Sequence, residues 1–405
     1  MHWSDDDFRV TGRTAAQSVN PALRETLSPP ASGAWREGDP VAQRQFQDLG
    51  VFRFEHGGEV PLRMAYESWG ELNAEASNAI LIFHALTGDA HVIGGVEPGQ
   101  ATAGWWQGMI GPGKPLDTNR YFVLCANTLG SCQGTTGPAS IGPDGTEWGA
   151  RFPKTTIRDQ ARATNELANA LGIDCFAVVV GGSLGGMQAL EFGCLFPTRL
   201  RRLMVLAAPP SIDAANIAIN TLQADAIRLD PAWHAGNYYD AEPGHGPHRG
   251  LALARRMAML TYRGSAELDD RFGRSWQSAK SPTSDGGRYS VQSYLDFHGN
   301  RFTRRFDANS YITLVGAMNS HDVGRDRGSV EDALAVLTMP TLVLGVTTDS
   351  YFAINTQHRI AAAAPGSITG TSAFELDSPF GHDGFLIELA RVGEQIERLL
   401  RMETA

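Results

Sequence analysis

Five short apolar runs constrain this chain most: AILIFHA (79–85), YFVLCAN (121–127), AVVVGG (177–182), RLMVLAA (202–208) and TLVLGV (341–346). Each is apolar at odd and even positions alike, so neither face of the strand it predicts can meet water. Strands of that kind belong to a parallel sheet with helices on both faces. Helix patterns sit between them: TIRDQARATNELANALG (156–172) ends at Gly172, and LGGMQALEFGCLFP (184–197) runs until Pro197. Ahead of all these, VFRFEHGG and VPLRMAYESWG alternate and predict an antiparallel pair. The fold class is α/β with a mostly parallel sheet.

The strand–helix rhythm breaks between about residues 210 and 335, where AANIAINTLQADAIRLD, GLALARRMAMLTYRG and SVQSYLDFHGNRF read as helices and loops. The expected organisation is a core of residues 46–210 and 336–405, a helical lid insertion at 211–335, and a loose N-terminal arm at 1–45, rich in Ser, Pro, Ala and Gly.

The 34 basic and 44 acidic residues leave a net charge of −10 with no basic block, which argues against nucleic acid or an anionic membrane as partner. A small-molecule substrate fits better. No apolar stretch reaches membrane-spanning length, and MHWSDDDFRV lacks the layout of a secretory signal, so a cytoplasmic location is expected. Cys125, Cys132, Cys175 and Cys194 show no CxxC spacing and read as reduced thiols, with no metal site.

The AVVVGG run continues into SLGG, placing Ser183 alone among four glycines where a strand gives way to a helix. That is the context of a nucleophile elbow, G-x-S-x-G, here Gly181 to Gly185. A phosphate loop is the rival, but neither G-K-[ST] nor G-x-G-x-x-G is completed. A serine hydroxyl needs a base, and the base an orienting acid. Asp349 follows the last apolar run directly, and His382 lies in SPFGHDGF beyond it, in the order an elbow serine requires. Asp377 and Asp322 are rival acids. An oxyanion needs two backbone N–H donors, assigned to Leu184, just after the serine, and Leu86, in the loop after the third strand. His84 is expected to shape that loop, and the pair Trp105 and Trp106 to anchor structure rather than stack on a ligand.

Seven separated blocks then carry a resemblance: FHALTGD, GWWQGMIGPGKPLDTNRYFVLCANTLGSCQGTTGPASI, RFPKTTIRDQ, GGSLGGMQALEF, ARRMAMLTYRG, NSHDVGR and GHDGF. Together they resemble the homoserine O-acetyltransferase family of the α/β-hydrolase fold, from about residue 50 to the C-terminus. The resemblance implies acetyl-CoA as co-substrate with no permanently bound cofactor, L-homoserine as acceptor in methionine biosynthesis, and a homodimer built through the lid helices. It carries substrate contacts onto Arg255 and Asp383, with Tyr262 and Thr87 lining the same tunnel. Arginine can hold the acceptor carboxylate through two parallel bonds, and a carboxylate can hold its ammonium. Two departures from the family pattern are visible: Asn127 to Cys132 reads N-T-L-G-S-C where N-V-L-G-G-C is usual, and Leu184 stands where methionine is common. Three alternatives stand beside this reading: an esterase with the same triad, a relative that uses succinyl-CoA as donor or L-serine as acceptor, and a non-catalytic ligand receptor on the same scaffold, which the presence of all three triad residues in order opposes.

Overall fold

Eight strands form one sheet in the computed structural model, which describes residues 28–403. They are β1 (Gln45–Arg53), β2 (Glu59–Trp69), β3 (Ala79–Phe83), β4 (Phe122–Ala126), β5 (Val178–Gly182), β6 (Leu203–Leu206), β7 (Thr341–Val346) and β8 (Phe374–Leu376). Across the sheet the order is β1-β2-β4-β3-β5-β6-β7-β8. β2 runs antiparallel to both β1 and β4, and every later pairing is parallel. All residues of β3, β5, β6 and β7 are buried, as their unbroken apolar runs require.

Helices α1 (Ile157–Ala170) and α2 (Leu184–Leu195) follow β4 and β5. Thr156 starts α1 with a capping box: its hydroxyl accepts from Asp159 N, and its own N–H donates to the Asp159 carboxylate, each at 3.1 Å. A cap of this kind contributes about 1 kcal/mol. α2 buries nearly every residue because α1 covers the side that the sheet does not.

Between β6 and β7 the chain builds α3 (Ala214–Arg228), α4 (His248–Tyr262), α5 (Ser265–Phe272), α6 (Ser290–Phe302) and α7 (Ala308–Asn319). α4 packs against α3 and α6, and also against the turn Gly381–Asp383. α8 (Ile354–Ala363) and α9 (Leu389–Leu400) close the fold, with Val392, Ile396 and Leu399 of α9 buried at i, i+4 and i+7. Among the described residues no helix is long and apolar enough to cross a membrane.

Ion pairs tie this insertion to the core. From the insertion, Arg325 grips both oxygens of Glu55 at 2.8 and 2.9 Å and Arg327 reaches Glu191 at 2.7 Å; within the core, Arg158 links the same two carboxylates, at 2.7 Å to Glu191 and 3.3 Å to Glu55.

One expectation is corrected. The arm predicted as loose lies outside the described residues up to position 27, but residues 28–44 are docked although they form no long element. The Ser32 hydroxyl donates to Asp307 at 2.7 Å, Trp35 N donates to Cys132 O at 2.9 Å, and the buried Arg44 guanidinium reaches Gln133 at 2.7 Å. Low periodicity marked the segment as irregular, and its polar side chains find fixed partners in the body of the protein.

Candidate active site

Ser183 stands between the last residue of β5 and the first of α2, with φ 58° and ψ −124°. Positive φ costs a residue with a Cβ about 1–3 kcal/mol, so the surroundings must hold it. Ser183 N is fixed on Leu206 O at 2.9 Å. The neighbouring glycines let strand and helix cross at contact distance. A Cβ on Gly181 would lie 2.0 Å from Gly185 O, and one on Gly185 would lie 2.1 Å from Phe83 O. No other residue fits at those two positions.

The turn after β8 brings His382 to this serine. His382 Nε2 is 2.8 Å from Ser183 Oγ, and Nδ1 is 2.6 Å from Asp349 Oδ2. Asp349 follows β7, and its other oxygen accepts from Tyr351 N at 2.8 Å and Phe352 N at 2.9 Å. All three side chains are buried. Burial pulls the imidazole pKa down, but the charge and hydrogen bond of Asp349, helped by Asp383, raise it above the 6.5 of a free imidazole. The rival acids Asp322 and Asp377 are exposed, and the Asp377 carboxylate accepts from Thr347 Oγ1 at 3.4 Å, away from His382.

Ser183 and His382 open into a cleft enclosing about 870 Å³, its mouth included. Leu86, Thr87, Arg255, Tyr262 and Asp383 line the same cleft. Asp349 and Leu184 stand behind the lining. Leu86 N and Leu184 N have no hydrogen-bond partner among the described residues. As the first residue of α2, Leu184 offers its N–H at the positive end of a helix.

Charge inside the cleft is arranged by sign. Arg255, on α4, is buried, donates to Thr87 Oγ1 at 3.2 Å, and packs over the Tyr262 and Phe302 rings. Asp383 stands 3.9 Å from Arg263. Burial raises the Asp383 carboxyl above the usual range against the pull of Arg263, His382 and Arg255. Burial also pushes the Tyr262 phenol up to about 12, so that side chain is neutral. His84 shapes the Leu86 loop: its Nε2 accepts from Thr128 N at 3.0 Å, which leaves Nδ1–H to donate to Ala85 O at 2.8 Å. Trp106 is buried and stacks on Trp105, which lines the cleft.

Sequence reasoning missed Arg305, Asp89 and Arg263, of which Arg305 and Asp89 also line the cleft. Arg305 sits in TRRF, where adjacent arginines carry no local signal of which one turns inward.

Comparison with known proteins agrees with this geometry. A family model for the alpha/beta hydrolase fold matches residues 78–389. The chain is 59% identical over 373 residues to a homoserine O-acetyltransferase of Clavibacter michiganensis subsp. michiganensis, covering 92% of this chain and 96% of the relative. It is 51% identical to that of Thermobifida fusca, covering 92% and 97%. Among solved structures, a homoserine O-acetyltransferase from Bacillus anthracis matches with a TM-score of 0.81 at 28% identity, covering 89% of this chain and 98% of the other. Esterase E22 matches with a TM-score of 0.79 at 26% identity, covering 88% and 99%.

Proposed function

This chain is an acyltransferase of the homoserine O-acetyltransferase family on the α/β-hydrolase fold, and on that premise we propose that it moves acetyl from acetyl-CoA to the L-homoserine hydroxyl through an acyl-serine. The observation that carries the reading is the hydrogen-bonded chain from Ser183 through His382 to Asp349, opening into a cleft that also holds Arg255 and Asp383.

Neutral His382 takes the Ser183 proton on Nε2 while Nδ1–H stays on Asp349. Ser183 Oγ bonds to the thioester carbonyl carbon, and the charge on oxygen falls to the Leu86 and Leu184 N–H groups. The C–S bond then breaks, and His382 returns its proton to the CoA sulfur. In the second half the homoserine hydroxyl gives its proton to His382 and attacks the acyl carbon. The bond to Ser183 Oγ breaks, and the proton goes back to the serine.

Two charges of opposite sign in one cleft suit an amino acid, which carries a carboxylate and an ammonium at one end. Arg255 is the proposed partner of the carboxylate and Asp383 of the ammonium, with Tyr262 and Thr87 shaping the space between. Holding both ends raises the effective concentration of the hydroxyl over that of water. Such a product places the enzyme in methionine biosynthesis, and we assign it a homodimer through the insertion helices and a cytoplasmic location.

Hydrolysis is the second reading, because an esterase shares the fold at 26% identity. The test is CoA release from acetyl-CoA or succinyl-CoA against L-homoserine or L-serine, in all four pairs. Acetyl-CoA with homoserine is expected to give the fastest acceptor-dependent release, and Ser183→Ala to abolish it. Release that ignores the acceptor in every pair points to hydrolysis and overturns the transferase mechanism.

A further inference from the structure

The loop bearing Leu86 is held by the insertion as well as by the sheet. Arg305, between α6 and α7, is 7% exposed, and its own carbonyl accepts from Gln133 Nε2 at 2.8 Å. The guanidinium donates through Nη2 to the Thr87 carbonyl, and its Nη1 lies 3.7 Å from Asp89 Oδ2. Asp89 is fixed in turn: Oδ1 accepts from His91 N at 3.0 Å, and its carbonyl accepts from Trp105 Nε1 at 2.9 Å. Behind it, His91 presents Nδ1 to Glu67 at 2.9 Å and Nε2 to Gly95 O at 3.1 Å, so both ring nitrogens face acceptors.

Thr87 is therefore gripped twice from the insertion, by Arg255 at the side chain and by Arg305 at the backbone. The residue before it is Leu86, whose N–H is unpartnered among the described residues and borders the cleft. Enclosing a guanidinium is costly unless its acceptors are well placed. Both partners of this one, the Thr87 carbonyl as acceptor and the Asp89 carboxylate as an ion pair, lie within three residues of Leu86.

We propose that Arg305 is a positioning residue for acyl transfer: by holding the Thr87 carbonyl and the Asp89 carboxylate it fixes the angle at which the Leu86 N–H enters the cleft. The inference rests on the acyl-serine reading and deepens it. It makes docking of the insertion a condition for a complete oxyanion site.

The experiment uses the full-length chain carrying Arg305→Lys or Arg305→Met, with 4-nitrophenyl acetate as acyl donor. That ester reports acylation of Ser183 without CoA or homoserine. The expected result is a kcat for acylation reduced roughly 10- to 100-fold in Arg305→Met, a fraction of the effect of an oxyanion donor. KM for the ester and for homoserine should change little, and Arg305→Lys should recover part of the rate. Wild-type kcat in both variants overturns the proposal. So does a loss confined to KM for homoserine, which makes Arg305 a substrate contact. Should Arg305→Met fail to fold, Arg305→Lys, which keeps the buried charge but cannot span both partners, is read by the same criteria. A wild-type protein that is acylated by the ester but never transfers to homoserine refutes the transferase reading while leaving the Arg305 comparison legible.

Discussion

At the scale of single residues, the imidazole of His382 carries the pH dependence. It acts as a base only when neutral, and Asp349 and Asp383 raise its pKa above 6.5 against the opposing effect of burial. Because the active form is the deprotonated one, activity falls as pH drops through that raised value. The acid limb of kcat/KM with 4-nitrophenyl acetate is therefore expected above pH 6.5. Asp383→Asn removes one raising charge and should move that limb to lower pH, without requiring an acceptor in the assay. A limb at or below the free-imidazole value, or one that rises in Asp383→Asn, contradicts this account. Ser183, Asp349 and His382 were legible in the sequence because strand ends, glycines and chain order are local signals. Arg305 and Asp89 were not. Their pairing joins residues 216 positions apart, and only packing of the insertion on the core brings them together.

At the scale of elements, legibility followed burial. β3, β5, β6 and β7 announced themselves through unbroken apolar runs, whereas β8 gave no signal because it has three residues and one of them, Glu375, is exposed. The helices of the insertion were readable as helices, but their partners were not, since an apolar stripe does not say what covers it. Some of that apolar surface stays uncovered. Leu222 on α3, Leu229 just past its end, and Leu253 and Leu260 one heptad apart on α4 are all exposed. Large apolar side chains on two adjoining helices are the kind of surface that a second subunit buries. The proposed homodimer should therefore split when Leu253 and Leu260 are both changed to Asp. Sedimentation or light scattering is expected to give twice the 43.7 kDa chain mass for the wild type and a single chain for the double variant. A wild-type monomer rules out the assembly, and a dimer unaffected by the two aspartates moves its interface elsewhere.

At the scale of the molecule, the site lies on the seam between two bodies. The core supplies Ser183, Asp349, His382, Leu86 and Asp383, and the insertion supplies Arg255, Met259, Tyr262 and Arg305. Whatever holds the insertion down thus bears on stability and on the completeness of the cleft. The Glu55 cluster is one such tie, remote from the chemistry. Partial burial works against the Glu55 charge, but hydrogen bonds from Arg325 and Thr156 and the nearby Arg158 take its pKa from 4.5 to about 2. The unfolded chain binds the proton first as pH falls, so this group stabilises the fold fully above 4.5 and loses that contribution on the way down to about 2. Glu55→Gln should accordingly cost about 1–2 kcal/mol at neutral pH, a discounted figure for a partly exposed cluster. In urea unfolding its gap from the wild type should be widest at pH 7 and narrow steadily below pH 4.5. A gap that is constant with pH would mean that the variant loses packing rather than charge. Arg325→Met, which removes the partner of Glu55 that the insertion supplies, should show the same narrowing in smaller degree, because its hydrogen bond and charge are part of what holds the carboxylate low, beside Thr156 and Arg158 of the core.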